Sequence, residues 1–489
     1  MQAEDLSRKE SDMDILINGF YAIYNLFWGT LISIPLPGGN SIDLSLLVII
    51  LVPVGIYFTF KTKFLLIRFF PDMLKLTVEK KNKEGNALSG TQTLIVSTAT
   101  RVGMGNLVGV VAAISAGGAG AVFWMWVMAI VGSSTAFIEA TLAQLHKEKD
   151  PLYGGYRGGP AYFIHNMMAD RRNKKGNPDR SKKSIIAILF ALSGLICWCG
   201  ISQVIGNSVT TSMENAFGIP PIVGAIVLVL LAAFVVFRKN ASVKVLDVMV
   251  PIMAGCYFFI TIFIIIKNAA LLPDVFVRIF EEAFRIRQVV AGGFGAVLMN
   301  GVKRGLFSNE AGSGSAPCAA AAAEVAHPAK SGLLQAFGVF IDTIVICSCS
   351  AMIMLLVPEK TVEGLVGMDL LQAAMKHHLG DFGVIFIAIT LLLFSFSTFI
   401  GILFYARPNI AYLFGDNWIS QNLYKILDLV MLFVGGLAAY TFVWDLGDVG
   451  IALMTVFNMV GLLPLSKQAL DSLKDYEKIR KSEKAIKER

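Results

Sequence analysis

The sequence predicts an all-α polytopic membrane protein with about eleven transmembrane helices. Three observations carry that reading. The 489 residues are 55% hydrophobic and 16% charged, with mean hydropathy +0.66. A soluble chain of that make-up would expose too much apolar surface. Apolar runs of about 18 residues or more recur along the chain, each enough to cross a hydrocarbon core of roughly 30 Å. The short alternating strands of a membrane barrel are not seen in the pattern.

Taken in order, the N-terminus "MQAEDLSRKESDMD" is acidic and lacks the basic region that opens a signal peptide. Segment 14–34 is apolar and aromatic but carries Asn18 and Asn25, and "PLPGG" follows it. It reads as an interfacial helix, with a twelfth span as the lesser option. Spans follow at roughly 42–61, 88–115, 119–146, 184–206, 219–238, 245–267, 288–312, 331–357, 380–405, 423–441 and 446–466. The expected organisation is an N-terminal segment 1–41, a transporter domain 42–466 and a basic tail 467–489.

Lys and Arg placement sets the orientation. With the N-terminus outside and the C-terminus cytoplasmic, inside segments hold 33 of the 42 Lys and Arg residues, outside segments hold 8, and Arg101 is intramembrane. The net charge of +7 is therefore a topology signal in a cell-membrane protein, and nucleic acid is not among the expected partners. The inside loop "DPLYGGYRGGPAYFIHNMM" lacks the end of a P-loop and reads as a Gly-rich turn with a short amphipathic helix under the bundle. The following "ADRRNKKGNPDRSKK" is a solvated basic stretch facing the lipid bilayer. The tail reads as a charged helix at the membrane surface.

Cys197, Cys199, Cys256, Cys318, Cys347 and Cys349 lie in or beside apolar runs and read as small packing residues. The pairs "CWC" and "CSC" point to different sides of a helix, which argues against chelation. Four of the five histidines fall outside the expected spans, and His146 is the last residue of one. "AGSGSA" (311–316) loosely resembles a nucleophilic serine motif, with His327 nearby, but no span interior offers a histidine base. An enzyme is not expected, and no organic cofactor is called for. A receptor that binds an amino acid without moving it is a further alternative.

The second and seventh spans differ from the rest. One contains "TRVGMGN", the other "AGGFGAVLMNGVKRGLFSNEAGSGSAP". They lie five spans apart, so 88–267 and 288–466 form two five-helix halves of opposite direction, each opening with an interrupted helix. Glycine tolerates the unwinding. Freed N–H groups at a half-helix start attract an anion, and freed carbonyls attract a cation. Such groups survive in a membrane only where they face a cavity or a ligand.

At these residues the chain resembles a known family. "RVGMGNLVGV", "GGAGAVFWMW" (117–126), "YRGGPAYF" (156–163) and "GVKRGLFSNEAGSGSAP" (301–317) resemble the alanine/glycine:cation symporters, from about residue 42 to 466. The resemblance implies the leucine-transporter fold, ten core helices in a 5+5 inverted repeat, with helix 42–61 as an extra. It implies a sodium-coupled symporter importing a small neutral amino acid, alanine or glycine first, with proton coupling as the variant. By the resemblance, N–H groups of Gly103, Met104 and Gly105 hold the substrate carboxylate. Carbonyls of Ala99 and Val102 ligate sodium together with Ser397 and Thr398 of "FSFSTFIG". Arg101 and Asn106 match a second sodium site.

Asn300 and Gly301, with Met299, are expected opposite the break and against substrate. Gln203 either reaches the substrate or packs between helices. Ile205 stands where many members carry glutamine, and Met104 where many carry Thr or Ser, departures that bear on substrate choice. Arg101, about 20 Å into its span, is expected to pair with Asp342, about 16 Å into its own, with Glu139 as competitor. Asp342 has direct sodium coordination as an alternative role. Lys303, Arg304 and Glu310 are expected to form an intracellular gate network.

Overall fold

In the computed structural model of the protein, the described residues are 17–36, 40–78, 88–172, 180–238, 241–284 and 293–487. Each expected span falls on a helix. These are α1 (Leu46–Lys61), α2 (Gly90–Gly117), α3 (Gly120–Leu145), α5 (Ile185–Phe217), α6 (Pro221–Val236), α7 (Ala241–Lys267), α9 (Gly293–Asn309), α10 (Pro328–Leu355), α12 (Asp381–Phe414), α13 (Trp418–Leu437) and α14 (Tyr440–Lys487). The connecting helices are α4 (Pro160–Arg172), α8 (Leu272–Ala283) and α11 (Gly367–Leu379). Among the described residues, eight helices are long and apolar enough to cross a bilayer. α6, α9 and α13, of 16, 17 and 20 residues, are shorter or more polar.

The helix ends follow local chemistry. The Ser45 hydroxyl caps α1 by accepting from the Val48 N–H at 3.4 Å. Gly218, with φ 64°, closes α5 in the left-handed region, and Pro221 opens α6 three residues on. Two buried helices organise the bundle. α3 packs against α1, α9 and α10, and α5 against α12, α13 and α14. The backbones of α5 and α14 touch at Gly200 and Gly450, where a methyl group would collide with Gly447 and Cys197. Leu230, Phe234, Phe259 and Ile266 stay exposed on α6 and α7, a lipid-facing belt.

Residues 17–28 are helical, with Ile17, Tyr21 and Leu26 exposed and Phe27 and Trp28 buried. They lead into a hairpin, β1 (Ile32–Leu36) and β2 (Asn40–Leu44), which the sequence reading did not foresee. α4, the expected short helix after the Gly-rich turn, has Pro160 to His165 buried, and Tyr162 donates to the Pro408 carbonyl at 2.8 Å. The charged tail is helical as a continuation of α14, and Arg480–Asp72 and Arg68–Glu477 pairs, each 2.8 Å, dock it on the segment after α1.

Candidate functional site

Residues Arg101–Gly109 of α2 wind as a π-helix, not as the unwound break expected. The physical reason is bonding: wider turns absorb the glycine pair while main-chain groups still find partners inside the helix, which an unwound segment in hydrocarbon would lack. A second π-helix, Phe340–Cys347 of α10, packs against the first.

Between them lies a connected polar set. The Met104 N–H donates to the Thr398 hydroxyl of α12 at 3.2 Å, and that hydroxyl donates to the Phe394 carbonyl at 2.9 Å. Gly103 is glycine because a methyl group there would overlap Thr398 Oγ1. Ser397 also bonds back to Phe394, at 2.8 Å. The Asn106 amide donates to the Asp342 carbonyl at 3.2 Å. Ser308 of α9 donates to the Asp342 carboxylate at 3.0 Å, as does Thr343 at 2.7 Å. Gly105 faces Ser308 and the Phe307 carbonyl, and a methyl group on it would stand 3.6 Å from both. Met104, Asn106, Asp342, Ser397 and Thr398 are all buried. The fold thus brings Gly103, Met104, Gly105 and Asn106 together with Thr398 and Asp342, from three chain regions. Ser308 and Phe307 complete the set and were missed, because nothing in the sequence says which face of α9 meets α2.

The expectations for Ala99, Arg101 and Val102, and with them the Arg101–Asp342 pair, fall on side chains and contacts outside the described residues. Other expectations move. α9 is unbroken at Asn300 and Gly301. Asn300 donates to Ala296 and, at 3.4 Å, to Ala116 at the far end of α2, and Gly301 lies against Ala121 and Trp124 of α3. That glycine serves close helix packing, and Met299 packs beside it against the apolar core. Gln203 turns its amide to Met431 Sδ at 3.4 Å, into the α5–α13 interface. Glu139 accepts from the Gly312 N–H at 3.1 Å and from Asn458, bracing the turn after α9. That turn begins at Glu310, which has φ 56°.

Lys303 and Arg304, expected in an intracellular gate network, lie within α9 and meet Asp448 near the start of α14. Lys303 is 2.5 Å from one carboxylate oxygen, and Arg304 reaches both at 3.1 Å. The helix 17–28 covers this pair. Tyr24 accepts from Lys303 at 2.6 Å, and Trp28 donates to the Asp448 carbonyl at 3.0 Å. The Arg304 guanidinium lies over the Trp444 ring at 4.1 Å, and Trp444 packs at a tilt against Phe307, ring centroids 4.8 Å apart. A layered path therefore runs from Gly105 through Phe307, Trp444 and the ion cluster to the N-terminal helix. Separately, Glu282 of α8 accepts from the Ala119 and Gly120 N–H groups at 2.6 and 3.3 Å, an anion at a helix start.

A bundle of apolar helices with paired π-helical segments around buried oxygens is the architecture of an integral membrane protein. The chain matches the sodium:alanine symporter family over residues 38–489 and belongs to it. It is 41% identical to the amino-acid carrier protein AlsT of Bacillus subtilis, over 93% of each chain. It is 39% identical to the probable sodium/glutamine symporter GlnT of the same organism, over 90% of this chain and 89% of that one. A manganese transporter of Eremococcus coleocola shares the fold, with TM-score 0.50 at 13% identity, over 82% of this chain and 79% of that one.

Proposed function

We propose that the protein is a sodium-coupled symporter that imports a small neutral amino acid, alanine or glycine first, by alternating access in the cell membrane. The observation that carries the reading is the Met104 N–H on the Thr398 hydroxyl beside Gly103. It puts main-chain donors of the first π-helix and hydroxyl oxygens of α12 within one hydrogen bond of each other. The π-helix opens during the cycle, and the N–H groups of Gly103, Met104 and Gly105, released from their present partners, take the substrate carboxylate. Thr398 and Ser397 turn from Phe394 to sodium, joined by Ala99 and Val102 carbonyls, since sodium prefers hard oxygen ligands. Asn106 links this set to Asp342 on the second π-helix.

Eleven spans with the N-terminus outside put the Lys303–Arg304–Asp448 cluster on the outward route. It is the outer gate, and the helix 17–28 is its cover. The two helices that open the halves, α2 and α9, rock as a core against the rest of the bundle and expose the shared site inside. Glutamine is the second reading, favoured by the likeness to a relative named as a glutamine symporter. Thermal stabilisation of the purified protein by each of the twenty amino acids, in sodium and in choline chloride, tests the reading, because a ligand of the folded state raises apparent stability. A sodium-dependent rise with alanine or glycine supports it. Stabilisation by no amino acid contradicts it.

A further inference from the structure

Most buried acids among the described residues have named partners. Asp342 accepts from Ser308 and Thr343, Glu139 from Gly312 and Asn458, Asp448 from Arg304, and Glu282 from Ala119. Asp428 of α13 is different. It is fully buried, no cation pairs with it among the described residues, and neither carboxylate oxygen has a hydrogen bond of good geometry, the Ser202 hydroxyl and the Cys199 thiol being its nearest polar neighbours. It lies ten residues into its helix, about 15 Å of rise, near the middle of the bilayer in the proposed topology.

The groups around it offer no counter-charge. From α5, the Cys199 thiol and the Ser202 hydroxyl lie against the carboxyl, and neither brings a charge. From α6 no ionisable side chain comes at all. From α12 the cation is Arg407, whose guanidinium sits over the Tyr153 ring at 4.2 Å. On α13 itself, Tyr424 donates to the Leu195 carbonyl at 2.9 Å, and Lys425 to the Val236 carbonyl at 3.2 Å. The α5–α13 interface is closed nearby. A methyl group at Gly206 would collide with the Leu432 carbonyl, and one at Gly435 with the Gln203 carbonyl. An ionised carboxylate in such a place is costly enough that the group takes up a proton instead, and an intramembrane acid is a mark of an ion or proton path.

We propose that Asp428 is a proton-binding site of the transport cycle, protonated in this conformation and deprotonated when α13 shifts against α5. The step breaks only the carboxyl O–H bond. The proton leaves to water, and the carboxylate left behind accepts from the Ser202 hydroxyl and the Cys199 thiol. The inference rests on the chain being a transporter, and it adds proton linkage to sodium coupling.

Two measurements on the full chain test it. Infrared spectra in lipid at neutral pH should show the carbonyl band of a protonated carboxylic acid, shifted in D2O and lost in Asp428→Asn. Asp428→Glu should keep a band, displaced in frequency. In proteoliposomes with equal sodium on both sides, an imposed pH gradient should drive uptake of radiolabelled alanine. Asp428→Asn, isosteric with the neutral acid, should lose that uptake to the level of protein-free liposomes and keep uptake driven by a sodium gradient. A spectrum unchanged in Asp428→Asn overturns the proposal. So does equal pH-driven uptake by variant and parent, or a parent that answers to sodium alone. If neither gradient drives alanine uptake, the functional reading fails, while the infrared band still decides the protonation of Asp428.

Discussion

Replacing Gly103 by alanine probes the contact on which the site is built. The added methyl group would overlap Thr398 Oγ1 and sit 3.3 Å from the Phe394 carbonyl oxygen. Thr398 must rotate away, so the Met104 N–H loses its acceptor in a buried place. An orphaned buried donor costs about 1–3 kcal/mol, and overpacking adds about 1–3 kcal/mol. Better helix propensity returns about 1 kcal/mol. The net loss is on the order of 3 kcal/mol. If Thr398 is a sodium ligand, even half of that lowers sodium affinity about tenfold. Gly109 supplies the control within the same π-helix. A methyl group there meets nothing within 4 Å, at φ −64° and ψ −40°. Gly109→Ala should be neutral or slightly stabilising. Melting temperature and its sodium dependence, measured on both variants, are the assay. Equal behaviour of Gly103→Ala and Gly109→Ala would refute the reasoning.

Other expectations follow from the same geometry. Asp448→Asn leaves Lys303 and Arg304 buried without their counter-charge, at a cost of about 3–5 kcal/mol, read as a lower melting temperature. Tyr24→Phe removes one bond to Lys303 and should cost about 1.5–3 kcal/mol, with faster access of thiol reagents to a cysteine placed at the outer side of Trp444. Gly435→Ala should separate α5 from α13 and reduce the yield of folded protein, while Gly255→Ala, with open space around it, should not. Lys147, just past α3, has its ammonium pushed down to about 8 by burial. The unfolded chain then binds the extra proton between about pH 8 and the ordinary lysine value. Stability therefore rises with pH across that window, and Lys147→Met should flatten the rise in melting temperature.

The helices were legible because apolar runs of bilayer length have few other uses. Positions 17–28 were legible as helical from their apolar and aromatic run. The site was legible in part. Glycine and polar residues in a span mark α2, yet the same pattern in α9 marks packing, because Gly301 accommodates Ala121 and Trp124. Composition cannot separate a glycine that frees the backbone from one that admits a neighbour. The π-helices were not legible either, because their difference from an unwound break is one of hydrogen-bond register. Lys303 and Arg304 were legible as gate candidates, but their partner was not: Asp448 is 144 positions from Arg304, and no local pattern announces it.

Uptake of radiolabelled alanine into proteoliposomes holding the full chain, with and without an inward sodium gradient, bears most directly on the proposed function. Accumulation above equilibrium that needs the gradient, and that is lost when Thr398 is replaced by valine, is the expected result. Alanine accumulation that ignores sodium, or that survives Thr398→Val unchanged, would contradict it.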